Sequence, residues 1–513
     1  MAHPGGTNVA TIIDAVATTA PERVALILAD GSVCTYRQLR EQVARWASAL
    51  STHGIGPGQR VALADWGGVR STAVTLAAAR IGAASAQMNP LLTETELAQL
   101  VDVSGAAPVG VAEGGVAVRL TGALGSDGRV LARPDDPPDR DGGAAPIAGP
   151  VGGGADDALV LFTSGTTGVP KPIAISHASL MARLSGYRAP FDIERPQSVA
   201  IMCVPSFHVG GMIGLLLNLY SGDTMVVQPR FDAGQWLELV SQHRASSVFL
   251  VPTMLARILD HPALESTDLS ALRNVSYGAA AAPVELIRRA MHQWPHVSFA
   301  NVFGQTETLG AYTTLTPEDH RDPARVGSVG RVLPGVEVRV VDPDTREDVT
   351  PGEVGELWVR SPQNVAEGWL ETGDLAWQDA DGYLYPTGRR SELINRGGEK
   401  FAPHEVAEVL RSHPAVRDAA VAGIPDAEMG ERVGAAIVVA AGEPPTREEL
   451  REWCRSRLAP FKLPEVVVYV DALPVNELGK LPRRAVVELI AARAALPGTG
   501  QVPSPEPEEG SPS

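Results

Sequence analysis

Residues 159–171 read Leu159-Val160-Leu161-Phe162-Thr163-Ser164-Gly165-Thr166-Thr167-Gly168-Val169-Pro170-Lys171. The four leading apolar residues have the pattern of a buried strand. The strand opens into a loop carrying the hydroxyls of Thr163, Ser164, Thr166 and Thr167, two glycines and Lys171. Backbone N–H groups, hydroxyls and an ammonium can there converge on one anion, and a polyphosphate is the natural candidate. The spacing departs from G-x-x-x-x-G-K-[ST], so a P-loop NTPase is not implied. A loop of this composition also serves as a plain connection, and the decision falls to the rest of the chain.

The chain has 513 residues, with 43 Lys+Arg against 60 Asp+Glu and a net charge of −17. At about 100–200 residues per domain this length implies several domains. A content of 44% apolar and 20% charged residues is that of an ordinary soluble protein. The acidic balance argues against a nonspecific grip on nucleic acid or anionic membrane, so any polyanion must be held by local chemistry. Only four of the basic residues are lysines: Lys171, Lys400, Lys462 and Lys480. Cys34, Cys203 and Cys454 are odd in number and far apart, which suggests neither a disulfide framework nor a zinc site. The N-terminal stretch lacks a basic region followed by an apolar one, and no apolar run approaches the ~18 residues that span a bilayer. A cytoplasmic protein, neither secreted nor inserted in a membrane and without a nucleic-acid partner, is expected.

Tyr36, Leu39, Val43, Trp46 and Leu50 recur at spacings of three and four, marking one face of a helix that ends at Gly56-Pro57-Gly58. A strand at 61–63, a helix over 71–81 and buried strands at 199–204, 224–228 and 246–251 follow. This alternation predicts α/β layers with largely parallel sheets. Residues 134–157 have almost nothing to bury and read as a flexible surface loop. From about Ser391 the pattern becomes a compact α+β unit: helix 403–411, strands near 416–422 and 433–440, helix 446–457, a strand at 465–470 and a last helix from Arg483. Residues 497–513 carry five prolines and three glutamates and read as disordered.

Further stretches carry chemistry. Asn301-Val302-Phe303-Gly304-Gln305-Thr306-Glu307 holds an aromatic, a glycine, a hydroxyl and a carboxylate: enough for a base platform, a phosphate contact and an oxygen ligand for Mg²⁺, or for a strand end with a capped helix. Trp369-Leu370-Glu371-Thr372-Gly373-Asp374 ends in an acid that suits a ribose diol or a plain turn. Gly388-Arg389-Arg390-Ser391-Glu392, Asn395-Arg396-Gly397-Gly398-Glu399-Lys400 and Gly479-Lys480-Leu481 follow.

Taken in order, TSGTTGVPK, PSFHVGG, FGQTE, WLETGD, TGRRSELINRGGEK and LGKLPRR resemble the adenylate-forming acyl/aryl-CoA synthetase superfamily, over about Thr35 to Ala492. The resemblance implies a large N-terminal domain over 1–390, built of stacked α/β subdomains with a small β-barrel-like part. It further implies a small mobile α+β domain over 391–496 carrying a catalytic lysine, and leaves 497–513 as a tail. It implies an AMP-forming acid–thiol ligase with ATP, Mg²⁺ and coenzyme A as cofactors, acting on a small carboxylic acid. The alternative is an adenylation enzyme that passes its acyl group to an acyl carrier protein's phosphopantetheine or to an amine.

By the same resemblance, Thr163, Ser164, Gly165, Thr166, Thr167, Gly168 and Lys171 hold the β- and γ-phosphates, Thr306 contacts the α-phosphate and Glu307 binds Mg²⁺. Phe303 and Gly304 lie near adenine with the backbone of Gly278, Ala279 and Ala280, while Asp374 and Arg389 hold the ribose. Lys480 reaches both carboxylate and phosphate as a compact, movable charge that a planar guanidinium would not replace. Rotation at a hinge, Ser391, would withdraw Lys480 and bring Gly397, Gly398 and Glu399 to a pantetheine tunnel. Pro205-Ser206-Phe207-His208-Val209-Gly210-Gly211 resembles the stretch flanking the acyl pocket, with His208 near the carboxylate or simply structural. No Asp stands there to hold an α-ammonium, which favours acids other than amino acids. The small residues Gly210, Gly211, Gly278 and Gly310 would leave space for an aryl or branched acyl group. Phe303 stands where a tyrosine is common, Pro172 where glycine is usual and Ser391 where Asp or Lys is more frequent. The segment between Arg360 and Trp369 is only eight residues long, shorter than is common, which bears on substrate and acceptor rather than on adenylation.

Overall fold

The computed structural model describes residues 8–133, 149–163, 170–187, 191–440, 442–475 and 481–495. The chain divides into two compact units, Met1–Val338 with Val359–Leu370, and Arg339–Trp358 with Glu371–Ser513. These units follow packing, whereas the 390/391 boundary is an expectation about a pivot.

Among the described residues of the first unit, nine strands form one sheet. Their order is Arg331–Val332, Gly310–Leu315, Ser298–Gln305, Asn274–Gly278, Ser247–Leu250, Val199–Met202, Thr224–Val227, Val24–Leu28 and Val33–Thr35. From Ser298–Gln305 to Val24–Leu28 every neighbouring pair is parallel. A second sheet has the order Arg129–Leu131, Val109–Val111, Arg60–Ala64, Ala84–Met88, Asp157–Thr163 and Lys171–Ser176, parallel except for its last, antiparallel pair. The α/β layering expected from the alternating pattern is thus present.

Local sequence explains the elements. Thr35 and Gln38 close a capping box on the helix Tyr36–Thr52, as Thr93 and Glu96 do on Glu94–Ser104. The periodic residues Tyr36, Leu39, Val43, Trp46 and Leu50 are all buried. The helix Val69–Arg80 is buried on nearly every side, from Ser71 to Ala79. It lies between the helix Tyr36–Thr52 and the six-stranded sheet, and its run of alanines lets the layers approach.

The expectation of a flexible loop over 134–157 holds no test for 134–148, which lie outside the described residues. Residues 149–157 are anchored instead: the Val151 amide donates to the Arg80 carbonyl, the His177 amide donates to the Asp156 carbonyl, and Asp157 opens a strand. The backbone found partners despite having few side chains to bury. The proposed tail 497–513 is likewise outside the described residues.

The small β part takes the form of a sheet ordered Glu337–Val341, Gly355–Arg360, Leu370–Gln378 and Leu384–Arg389, most of whose residues fall in the second unit. Beyond it, Glu399–Phe401, Ile394–Arg396, Gly430–Val439 and Val416–Asp426 form another sheet, with Val466–Tyr469 parallel to Gly430–Val439. The helices Pro403–Arg411, Arg447–Arg455 and Arg483–Ala494 accompany it, as the sequence pattern predicts. Among the described residues no helix is long and apolar enough to cross a membrane.

Two buried histidines in the first unit are locked in neutral tautomers. His177 Nδ1 accepts from the Val9 amide (3.1 Å). His320 Nδ1 faces the Thr316 carbonyl at 2.7 Å and so carries the proton, leaving Nε2 to accept from the Tyr277 hydroxyl at 2.9 Å. Burial holds both pKa values below the ordinary histidine value. As pH falls below about 6.5 the unfolded chain takes up protons that the folded one refuses, so stability is lost with acidification. Thermal midpoints recorded from pH 8 to 5 should therefore fall, and less steeply for His320→Gln; equal slopes would count against this account.

Candidate active site

The strand Ser298–Gln305 lies parallel to Asn274–Gly278 and antiparallel to Gly310–Leu315, with a bulge at Phe303/Gly304. Backbone approaches backbone here too closely for side chains. A Cβ on Gly278 would stand 2.1 Å from the Val302 carbonyl oxygen, and one on Gly304 would stand 1.9 Å from that of Gly310. Two L-residues bordering these strand ends, Ala279 (φ +67°) and Leu309 (φ +50°), take left-handed backbone conformations, which cost about 1–2 kcal/mol each. Strain gathered at the carboxyl ends of parallel strands marks the crevice where such sheets bind ligands.

The turn Thr306–Thr308 is held from within and without. Thr308, fully buried, accepts from the Gln305 amide (3.0 Å) and donates to the Gly310 carbonyl (2.7 Å). Gln363 Nε2 donates to the Thr308 carbonyl (2.8 Å), and the Val365 amide donates to the Glu307 carbonyl (3.0 Å). The short 361–368 segment thus braces this turn. With its backbone fixed, the turn presents half-buried Thr306 and Glu307, whose side chains make no hydrogen bond or ion pair among the described residues. Phe303 meets Tyr312 edge-on at 5.4 Å.

Of the seven residues expected to hold the β- and γ-phosphates, Thr163 and Lys171 are described. Thr163 and Lys171 face each other across the antiparallel pair that flanks the loop, and Lys171 is exposed with no partner among the described residues. Ser164, Gly165, Thr166, Thr167 and Gly168 lie outside the described residues, as does Lys480. Pro172 sits on the last strand of its sheet, an edge where a missing N–H is tolerated.

His208 caps the helix Val209–Tyr220, its ring 4.6 Å from that of Phe207. The glycines nearby require a correction. A Cβ on Gly211 would stand 2.2 Å from the Pro205 carbonyl oxygen, and one on Gly210 would stand 3.0 Å from the Phe249 ring. With Gly278 they answer to tight packing rather than to space for an acyl group; at Gly310 alone of the four a Cβ would meet no close contact, its nearest neighbour being Arg183 Nη2 at 3.9 Å.

In the second unit, Asp374 and Arg389 are register partners on adjacent antiparallel strands, with Arg389 Nε 2.9 Å from the buried Asp374 Oδ1. Glu356 stands behind them, its side chain 2% exposed, accepting from the Gly373 amide (3.1 Å) and from Arg390 Nη1 (2.8 Å). Gly397 and Gly398, at φ +61° and +96°, form the turn of the hairpin Ile394–Arg396/Glu399–Phe401, the primed geometry that suits strand twist. Ser391 is exposed, and its carbonyl accepts from Arg483 Nη1 (2.7 Å).

Glu356, Gln363 and Arg483 escaped the sequence reading, for each acts on a partner more than fifteen residues away. Among the described residues no group of three His, Cys, Asp or Glu side chains is arranged to hold a metal. A lone carboxylate such as Glu307 fits Mg²⁺, which keeps water and substrate phosphate oxygens as its other ligands. Cys34, Cys203 and Cys454 are free and buried, and burial pushes their thiols up to about 11, 12 and 11, unsuited to nucleophilic work.

The chain matches the AMP-binding enzyme family over residues 13–370 and the AMP-binding enzyme C-terminal domain over 405–480. It is 33% identical over 523 aligned positions to 4-coumarate–CoA ligase-like 9 of Oryza sativa subsp. japonica, covering 94% of this chain and 93% of that one. An amide bond synthetase of Marinactinospora thermotolerans superposes with a TM-score of 0.82 at 32% identity, covering 94% and 99%. O-succinylbenzoate coenzyme A synthetase of Bacillus subtilis, in complex with ATP and magnesium ion, gives 0.80 at 26%, covering 92% and 98%.

Because a methyl group at position 304 would collide with a carbonyl rather than a movable side chain, Gly304→Ala should lower stability by about 3 kcal/mol. A urea unfolding midpoint equal to that of the wild type would contradict the close approach.

Proposed function

The chain belongs to the AMP-binding enzyme family, and on that premise we propose that it is an ATP-dependent carboxylate–CoA ligase. A carboxylate oxygen bonds to the α-phosphorus of ATP as pyrophosphate leaves; the CoA thiolate then attacks the acyl carbon and AMP leaves. The observation that carries this reading is the braced turn with unpartnered Thr306 and Glu307 at a strained strand end, in a chain that is similar over nearly its whole length to a CoA ligase.

The first half-reaction must bring a carboxylate against a polyanion, so its cost is electrostatic. In this proposal Thr163, Lys171 and the loop between them take the β- and γ-phosphates, Thr306 takes the α-phosphate, and Glu307 holds Mg²⁺. Bound Mg²⁺ supplies charge neutralisation on the phosphate oxygens. The backbone of Gly278, Ala279 and Ala280 and the Phe303 ring receive adenine. Asp374 accepts from the ribose diol. The Arg389 guanidinium at 2.9 Å fixes its rotamer, while Glu356 anchors the turn beneath it. His208 stands near the substrate carboxylate, and Lys480 bridges carboxylate and phosphate.

Rotation at Ser391, dividing 1–390 from 391–496, would then exchange Lys480 for the hairpin turn Gly397-Gly398-Glu399 beside pantetheine. Free, buried thiols suit a reducing cytoplasm.

One observation favours a second reading. The amide bond synthetase is as similar to this chain, at 32% identity, as the CoA ligase-like protein is at 33%. Transfer to an amine is therefore the alternative fate of the adenylate. Pyrophosphate release over a panel of acids, with CoA, with amines or with a phosphopantetheinyl carrier protein, separates them: CoA consumption and free thioester support the first, and exchange of pyrophosphate without CoA consumption overturns it. Lys480→Ala should depress carboxylate-dependent pyrophosphate exchange by on the order of 100-fold or more, and unchanged exchange would remove Lys480 from the mechanism.

A further inference from the structure

Arg183, on the helix His177–Tyr187, is 5% exposed, yet no Asp or Glu among the described residues pairs with it. Arginine stays protonated in proteins, and an isolated buried charge is costly. Burial alone weighs on this guanidinium, with only Tyr187, its ring 4.5 Å away, as an electrostatic neighbour.

The direction of its donors is informative. Nη1 points into the protein, donating to the Ala311 carbonyl (2.8 Å) and more distantly to Gln363 Oε1 (3.4 Å). Nε is buried without a hydrogen bond, and Nη2 makes none among the described residues. Nε–H and Nη2–H lie on the same edge of the guanidinium, and that edge matches the two oxygens of one carboxylate. The same chain shows the edge filled where Arg360 Nε and Nη2 both bond Glu337. In Arg183 it is buried and carries no bond among the described residues, and Nη2 lies 3.9 Å from the place a Cβ would occupy on Gly310.

That position belongs to the site. Gly310 is the register partner of Gln305, one residue before Thr306. The helix of Arg183 packs against Val209–Tyr220, the helix that His208 caps, and that helix also meets the strand Gly310–Leu315. Of the four candidate glycines, Gly310 is the one at which a Cβ would meet no close contact, and its nearest neighbour is this guanidinium.

We propose that the unbonded Nε/Nη2 edge of Arg183 receives a second carboxylate at the far end of the acyl substrate, making this enzyme's preferred acids dicarboxylic. Two charge-assisted hydrogen bonds and a compensated buried charge would be gained by a diacid and forfeited by a neutral analogue, so the site discriminates by what the neutral compound leaves unpaired. Nη1 keeps the plane of the guanidinium fixed meanwhile, so little order remains to be imposed on binding. Arg183 is on this account a specificity-determining residue, and the assignment rests on the carboxylate-activating reading above.

The experiment uses the full chain and acids matched except at the far end: terephthalate against its monomethyl ester, and adipate against its monomethyl ester. Pyrophosphate release with MgATP and CoA gives kcat/KM, and calorimetric titration with a non-hydrolysable ATP analogue gives Kd without turnover. The diacid should be preferred by on the order of 100-fold in both readouts. Arg183→Met should abolish the preference, and Arg183→Lys, which keeps the charge and lacks the fork, should restore only part of it. Equal handling of diacid and ester by the wild type, or a preference that persists in both variants, overturns the proposal. If the diacid binds through Arg183 but no acid releases pyrophosphate, the ligase reading fails and the Arg183 assignment stands; if esters and diacids are activated alike, the reverse holds. Should Arg183→Met fail to fold in a thermal melt, the Arg183→Lys comparison decides.

Discussion

The strand Ser298–Gln305 is gripped by its neighbours' backbones. Gly278 against the Val302 carbonyl and Gly304 against that of Gly310 bring main chains together where any Cβ would collide. This approach sets the level at which the parallel strands end, and the positive-φ residues Ala279 and Leu309 follow from the abrupt turns required there. What is normally a flexible exit from a sheet is thereby over-determined, which is how strained conformations persist. Thr306 and Glu307 inherit their position from this packing and from the Gln363 and Val365 braces, with no side-chain bond of their own to be broken when a ligand arrives.

Much of this was legible because short-range chemistry carries it. The buried strand before the hydroxyl loop, the helix face from Tyr36 to Leu50 and the α+β pattern after Ser391 are statements about adjacent residues, and each appears where its periodicity put it. The ordered motifs located the turn at Thr306 and the Asp374–Arg389 pair, which the hairpin register brings face to face. Pairings across long separations left no local trace. Glu356 beneath Gly373 is one such case, and Gln363 on Thr308 is another. The glycines misled for a related reason: smallness at 210 and 278 answers to Phe249 and Val302, remote in sequence, and smallness at 211 to the backbone turn at Pro205, so it could not be distinguished from an empty pocket by letters alone.

The acidic chain and its four lysines also acquire sharper meaning. Lys462 is held by Glu405 and lies over the rings of Phe401 and Phe461, a structural clasp in the small sheet unit. Lys400 is exposed beside the Gly397-Gly398 turn. Lys171 is exposed and without a partner among the described residues, beside the loop that first suggested a polyanion. A net charge of −17 disfavours ATP at long range, although salt screens this beyond about 8–10 Å. Local donors therefore decide, and an ammonium on a flexible stem suits a ligand whose charge moves during the reaction.

Arginine answers a different need. Its guanidinium is a rigid plane with two separable edges, so one side chain can be fixed by the protein through one nitrogen and still present a fork elsewhere. Arg483 divides its donors in this way, bonding the Ser391 carbonyl through Nη1 and Glu431 through Nη2. Arg183 is the limiting case, with Nη1 committed to a carbonyl and the other edge uncommitted in a buried place. A lysine there would relax toward whichever acceptor was nearest, and an apolar residue would fill the space at no electrostatic cost. Retaining a charge whose burial is unfavourable and whose rotamer is already fixed makes physical sense when the missing partner arrives with the substrate, because the cost is then recovered only by an acid that carries that partner.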